Sequence, residues 1–498
     1  MSGRAVGVVG AGTMGAGIAQ LAAVHGHRVT LCDVAPGAAE RAVASIRDRV
    51  AALVERGKLP ERSRDLDLHA TEDMAQLSAA GVVVEAVPED LEIKRAVLAG
   101  LESVVDDACI LASTTSSLSP TALAAHARRP ERVVGLHFFN PVGVMRLVEV
   151  VPGLATAPAV ADEVDALAVA LGKVVVRCAP TPGFIVNRIA RPYYSEPLRL
   201  HEEGAAQPAT IDAVLTGAGG FPLGPFALTD LIGQDVNEAV TRSVWAAYGF
   251  DPRFAPSPAQ RELVAGGRLG RKTGQGWYAY AEGRTAPAVA RPLDPVRGVA
   301  PASTVVAGPR LGELQALVDR AGVAVVSGDA AAGVRLPSGV ELVRTDGATA
   351  DELALRLDRP VVVVDRTLDD TTASAVAIAV SAACPRAGRD EAVATLQAAG
   401  LGVHEVADRP GLVVARTVAM LVTFALEALD DGVASAADID LAMCLGANHP
   451  CGPLAWGERW GPALVLTIMD NLHGHYGDPR YRAGSPLRRR AALARAVT

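Results

Sequence analysis

Basic charge is scarce in this sequence: 47 Lys and Arg stand against 55 Asp and Glu, a net charge of −8. A nucleic-acid partner would need a basic face to neutralise phosphates, so that class is set aside. Long apolar runs are also missing. The longest, "ASAVAIAVSAAC" (373–384), falls well short of the roughly 20 residues that cross a bilayer, so no membrane association is expected. The N-terminus runs at once into "RAVGVVGAG", which predicts no signal peptide. Cysteines are few, six among 498 residues, and scattered, which predicts a reduced, cytoplasmic protein. Cys444, His449 and Cys451 lie close together but lack the further ligands a zinc site takes, so no metal is expected.

What is present is apolar residues, half of the chain, enough for sizeable cores in roughly two to four domains. Residues 4–34, "RAVGVVGAGTMGAGIAQLAAVHGHRVTLCDV", read as strand, glycine turn, helix and second strand. Gly10, Gly12 and Gly15 form G-x-G-x-x-G, with Thr13 and Met14 inside the motif. The spacing serves a tight turn, close approach of a pyrophosphate and helix–strand packing, while the helix N-terminus favours the anion. Asp33 closes the second strand and is suited to the ribose hydroxyls, which predicts NAD rather than NADP.

The next stretch, "AERAVASIRDRVAALVERGKLPERSRDLD", is helical and carries Arg47, Arg49, Arg56, Lys58, Arg62 and Arg64. It reads either as a solvated helix face or as an arm that attracts a phosphorylated substrate. "GVVVEAVPEDLEIKRAVL" repeats the strand-to-helix unit and brings Glu89 and Lys94 to the sheet end where ligands gather. "CILASTTSSLSP" ends a strand in hydroxyls, and "RVVGLHFFNPVGVMRLVEVV" carries His137 and Glu149. A histidine with a carboxylate to orient it is a proton-transfer pair.

Together "GAGTMGAGIAQ", "TSSLSP", "LHFFNPV", "LVEVV", "TPGFIVNRI" and "GRKTGQGWYAY" closely resemble the 3-hydroxyacyl-CoA dehydrogenase family, over the chain up to about residue 282. The resemblance implies a catalytic group of Ser116, His137, Glu149 and Asn187, with His137 as the base for the C3 hydroxyl and Glu149 orienting it. Ser116 and Asn187 would hydrogen-bond the substrate. It further implies NAD contacts from Asp33, Glu89, Lys94 and Ser116, and coenzyme A contact from Lys58. Thr114 stands where relatives usually carry asparagine.

Beyond residue 285 the chain reads as a worn second copy. Pro182-Gly183 recurs as Pro410-Gly411, Arg188 as Arg416, Ile211-Asp212 as Ile439-Asp440, Gly224-Pro225 as Gly452-Pro453 and Tyr248-Gly249 as Tyr476-Gly477, all 228 positions on. Extended backwards, the register sets His137 on Asp365, Glu149 on Ala377 and Asn187 on Ala415. No G-x-G-x-x-G follows a strand near 305–360, so the second half is expected to bind no NAD. The expected fold is a Rossmann-type α/β nucleotide-binding domain (1–180), an all-α helical domain (181–285), a linker (286–304), a degenerate α/β segment (305–405) and a second helical domain (406–498). Helical domains of the family commonly dimerise, which implies pairing either in a homo-oligomer or between the two copies of one chain.

The implied activity is NAD-dependent oxidation of an L-3-hydroxyacyl-CoA to a 3-oxoacyl-CoA, of 3-hydroxybutyryl-CoA or 3-hydroxyadipyl-CoA type, in fatty-acid or aromatic-compound degradation. No hydratase-like segment precedes it, so a single activity is expected. Two alternatives are a dehydrogenase of a free hydroxy acid and a non-catalytic NAD-binding scaffold. Persistence of Ser116, His137, Glu149 and Asn187 in the first half weighs against the scaffold.

Overall fold

The computed structural model of the chain describes residues 5–280 and 290–497, so residues 281–289, with the start of the expected linker, lie outside the described residues. Among the described residues no helix is long and apolar enough to cross a membrane. The chain forms two compact units. One holds the residues up to Arg188 together with Ala428–Ala447; the other holds Ile189–Glu427 and the residues from Asn448 on.

The first unit is built on eight strands: β1 (Val6–Val9), β2 (Val29–Cys32), β3 (Leu68–Thr71), β4 (Val82–Glu85), β5 (Ile110–Ser113), β6 (Val133–Phe138), β7 (Leu147–Pro152) and β8 (Val174–Arg177). Their order is β3-β2-β1-β4-β5-β6-β7-β8. Valine-rich runs such as β4 and β6 are buried throughout, as expected of strands covered on both faces. The strand order reverses beside β1, and a ligand crevice opens at such a switch point. β7 runs antiparallel to β6, and the ladder sets His137 directly opposite Glu149. The helix Ala436–Gly446 of the second copy lies along β7 and β8 of this same unit.

The second unit contains a seven-stranded mixed sheet between Thr304 and Glu405 and the remaining helices of both copies. The degenerate segment therefore keeps almost a full complement of strands. Its ladder repeats the first: Val362 pairs with Val380 as Val134 pairs with Pro152, and Asp365 N donates to Ala377 O at 2.9 Å. The 228-residue register thus extends into the sheet. The described part of the expected linker, 290–304, is tied down: Leu293 N donates to Val403 O, and Leu293, Val296 and Ala302 pack on the sheet's core. Apolar side chains in that stretch, unlike those of a solvated linker, gain by burial.

The helical copies repeat each other closely. Gly183 and Phe184 have φ of 75° and 49°; Gly411 and Leu412 have 73° and 49°. They also exchange equivalent contacts. Within the first unit Ala179 N donates to Val433 O (2.8 Å) and Arg188 pairs with Asp431; within the second, Ala407 N donates to Ala205 O (2.9 Å) and Arg416 pairs with Glu203. Adding 228 to one partner and subtracting it from the other converts each contact into its mate, the signature of a self-complementary interface. In the second unit the copies share a core that includes Phe254 against Phe424 and Phe221 stacked on Trp456. Arg416, wholly buried, joins Glu196 (2.8 Å), Tyr476 and Tyr481 there.

Candidate active site

The glycine motif has the geometry its spacing demands. Gly10 has φ of 102°, and a Cβ there would stand 2.6 Å from Ala86 O. A Cβ on Gly15 would run into the Gly10 carbonyl, whereas one on Gly12 would meet no protein atom within 4 Å. The turn, the packing and the open approach are thus divided among three glycines. The helix Thr13–Val24 begins at Gly12 without any side-chain cap, so its first amides are left for an anion. Asp33 is fixed at the end of β2 by accepting from Ala11 N (2.7 Å) and Ala35 N (2.9 Å). A cavity of about 570 Å³ runs past Gly10, Gly12, Thr13, Met14 and Asp33 to the apolar side chains of Val87 and Ile93. These residues fit a dinucleotide: amides and a backbone-only wall for the pyrophosphate, a carboxylate for the ribose, an apolar slot for the base.

Beside it lies a buried polar hub that sequence reasoning missed. Glu85, at the end of β4, accepts from Ser113 Oγ (2.6 Å), Val87 N (2.7 Å) and Lys94 Nζ (2.7 Å). Lys94 is therefore turned inward, only 1 % exposed, rather than projecting into the crevice. Glu89 accepts from Thr115 Oγ1 (2.8 Å) and from the amides of Ser116 and Ser117 (2.9 Å each). Burial alone would raise its carboxyl, but Lys94 and these donors together hold it below the usual carboxylate range. Glu89 and Lys94 thus shape the loop that presents half-exposed Ser116. The acid closing the apolar run "GVVVE" was the available signal for Glu85.

His137 Nδ1 lies 2.6 Å from Glu149 Oε2. Glu149 is fully buried and His137 6 % exposed. As a carboxylate Glu149 can only accept, so Nδ1 donates and the lone pair is left on Nε2. The other oxygen, Oε1, accepts from Ile185 N and Val186 N at 3.0 Å each, at the start of the short helix Val186–Ile189 that carries Asn187. One carboxylate therefore ties the histidine to the asparagine's helix. Phe139 and Phe184 flank the imidazole, with ring centroids 4.6 and 5.7 Å away. Neither phenylalanine was foreseen, although both lie inside the motifs that were. Phe184 holds a left-handed φ that costs a non-glycine residue of order 1 kcal/mol, and Leu412 holds the same φ in the second copy, so this conformation belongs to the helix entry that both copies share.

Of the basic arm, Arg47 bonds the Leu68 carbonyl and Arg64 pairs with Glu61, while Arg49 and exposed Lys58 remain at the rim of a second cavity. That cavity, about 580 Å³, lies between Gln20, Leu53 and the turn 140–144. Among the described residues Gln20 Oε1 is buried there without a hydrogen-bond partner.

In the second copy Asp365 occupies the histidine's place, fully buried, and accepts from the amides of Val413, Val414, Ala415 and Arg366. Burial pushes its carboxyl up to about 6 against the pull of those donors. The strand ends that would form a crevice are occupied by Arg310, Arg344 and Arg366, packed around Glu313 and Asp370.

Comparison with known families gives the site its context. The NAD-binding domain of 3-hydroxyacyl-CoA dehydrogenase matches residues 5–181, and its C-terminal domain matches twice, at 183–280 and 411–496. The chain belongs to the 3-hydroxyacyl-CoA dehydrogenase family. Residues 342–410 match the reduced Rossmann-fold domain of 3-hydroxybutyryl-CoA dehydrogenase. This NAD-dependent 3-hydroxyacyl-CoA dehydrogenase is 47 % identical over 493 residues to the 3-hydroxyadipyl-CoA dehydrogenase of Escherichia coli, covering 98 % of both chains. The crystal structure of 3-hydroxybutyryl-CoA dehydrogenase from Escherichia coli covers 100 % of both, with 45 % identity and a TM-score of 0.91. The probable 3-hydroxybutyryl-CoA dehydrogenase of Bacillus subtilis is 40 % identical over 278 residues, 96 % of that protein but 55 % of this one.

Proposed function

We propose that the dehydrogenase oxidises the L-3-hydroxyacyl ester of coenzyme A with a short acyl chain, 3-hydroxybutyryl or 3-hydroxyadipyl, with His137 as general base. The observation that carries this reading is Glu149, which holds Nδ1 of His137 at 2.6 Å and leaves Nε2 to take the hydroxyl proton. Glu149 also stabilises the imidazolium formed in that step, as the orienting acid does in other base-plus-orienter sites. Gly10, Gly12, Gly15 and Asp33 would hold NAD, which would supply the acceptor for the hydride leaving C3. Ser116 and Asn187 flank the reacting oxygen and fix its approach to the base, a positioning effect able to supply several kcal/mol. Lys58 and Arg49 face the phosphates of coenzyme A, and the unmet Gln20 Oε1 suits an amide donor of its pantetheine arm. Residues 1–180 would bind NAD, 181–285 would complete the substrate site, and 305–405 and 406–498 would support them. The scarcity of cysteine, six among 498 residues, suits a cytoplasmic location.

NADH formation from 3-hydroxybutyryl-CoA and 3-hydroxyadipyl-CoA, compared with the free acids and with His137→Gln, tests the proposal. Turnover of the esters alone, abolished in the variant, is expected. Equal activity of wild type and variant would show that the base is another group.

A further inference from the structure

The second helical copy has alanine at its own asparagine position, yet its residues 428–447 are built into the first catalytic unit. Three contacts connect them with the proposed machinery. Asp431 pairs with Arg188 at 2.5 Å, and Val433 O accepts from Ala179 N at 2.8 Å. The third lies at the end of the helix Ala436–Gly446. A Cβ built on Gly446 would stand 2.6 Å from Leu147 Cδ2, 2.9 Å from Val186 Cγ2 and 3.4 Å from Phe139 Cζ. Leu147 and Val186 are buried, so neither can yield into solvent. Phe139 in turn lies 4.6 Å from the His137 ring, and Val186 and Arg188 are the residues on either side of Asn187.

We infer that residues 431–446 of the second copy are a positioning element of the first copy's active site. Gly446, lacking a side chain, lets Phe139 and Val186 reach the places that align His137 and Asn187, and Asp431 holds the other flank through Arg188. The inference rests on the assignment of His137 and Asn187 made above. The first helical copy has the same close approach with smaller parts: a Cβ on Gly217, the last residue of its equivalent helix Pro208–Gly217, would stand 2.6 Å from the Cβ of Ala375, which lies 228 positions after Leu147.

The test is Gly446→Ala in the full chain, with kcat and KM for NAD and for 3-hydroxybutyryl-CoA, the pH profile of kcat/KM, and the thermal midpoint. Gly474→Ala, where a Cβ meets nothing within 4 Å, makes the same chemical change elsewhere. Misplacement by a fraction of an ångström to an ångström is expected to lower kcat roughly ten- to a hundredfold. KM for NAD should stay unchanged, the limb of the profile that reports the base should move, and Leu147→Val in the same chain should restore part of kcat. Wild-type kcat and pH profile in Gly446→Ala below its melting midpoint would overturn the inference, even with a lowered midpoint. If Gly446→Ala does not fold, Asp431→Asn carries the test: reduced kcat supports the inference and unchanged kcat overturns it. His137→Gln separates the two levels. An inactive His137→Gln beside a fully active Gly446→Ala would sink this inference alone, whereas an active His137→Gln would sink the catalytic assignment beneath it.

Discussion

Replacing Glu149 by glutamine probes the link between structure and chemistry most sharply, because the change keeps the shape and removes one acceptor. The carboxylate serves two sides: Oε2 takes the His137 Nδ1 proton, and Oε1 takes the amides of Ile185 and Val186. An amide has one acceptor oxygen and must choose. If its oxygen stays on the two backbone donors, its NH2 faces Nδ1, which must then accept; the ring proton moves to Nε2 and the base is lost. If it flips, two buried amides lose their acceptor, at about 1–3 kcal/mol each. The unproductive orientation is thus favoured by about 2–6 kcal/mol, which at about 1.4 kcal/mol per decade lowers kcat roughly thirtyfold to ten-thousandfold. The upper end agrees with the loss of about 10⁴ when a triad aspartate becomes asparagine and traps the wrong tautomer. Steady-state NADH formation gives kcat, and thermal unfolding should show a midpoint close to wild type, since the helix start keeps its acceptor. A Glu149→Gln enzyme within about threefold of wild-type kcat, under about 0.7 kcal/mol, would refute the tautomer argument.

Loss of Asp33 is felt in cofactor choice. Asp33→Ala should raise KM for NAD by roughly ten- to a hundredfold, the worth of hydrogen bonds to a charged group, and improve NADP relative to NAD; an unchanged ratio of the two constants would count against the ribose contact. Arg416→Met removes the nearer arginine from the buried Glu196 carboxylate, which keeps Tyr481 Oη and, at 3.8 Å, Arg480, so a loss of about 3 kcal/mol, the lower end for a broken buried pair, is expected in denaturant unfolding, and an unchanged midpoint would contradict it. His449 is packed against Tyr193 and Phe221, and burial pushes its imidazole down to about 3. The folded state therefore refuses a proton that the unfolded state takes up below about pH 6.5, and the stability due to neutral His449 is lost as pH falls from there towards 3. At pH 5 the loss is about 2 kcal/mol, so the stability of wild type relative to His449→Phe should fall by that amount between pH 7.5 and 5; a pH-independent difference would refute the sign.

The nucleotide site was legible in sequence because each requirement is local: a positive φ at Gly10, an open face at Gly12 and close packing at Gly15 admit hardly any other residue. The duplication was legible for the same reason, since turn glycines and buried arginines recur at one offset. His137 and Glu149, twelve positions apart, could be read only as a candidate pair, because it takes the reversal of β7 to place them opposite each other. Lys94 was legible only in part: its place at the sheet end where ligands gather can be read from sequence, but its ion pair with the buried Glu85, nine residues earlier, comes from the fold. The contact of Gly446 with Leu147 and Phe139 spans about three hundred residues and leaves no periodic trace. Nothing short of the fold could have revealed it.

The two copies also act as controls for each other, and they separate what the fold needs from what the reaction needs. Both helix starts, at Ile185-Val186 and at Val413-Val414, present buried amides that must find an acceptor, and both find a carboxylate. In the second copy it is Asp365, directly after the strand Val361–Val364, and the shorter side chain is sufficient. In the first copy that position is His137, so the acceptor comes from across the ladder, as the longer Glu149. Only one oxygen of Glu149 is needed for the amides, and the other is directed at Nδ1. The proposed proton-transfer pair therefore adds no buried carboxylate to the fold: it uses the second oxygen of one that the helix start requires in either copy. On this account the second copy lacks the chemistry because a single aspartate meets the structural demand, with both of its oxygens taken by backbone amides and none left for an imidazole.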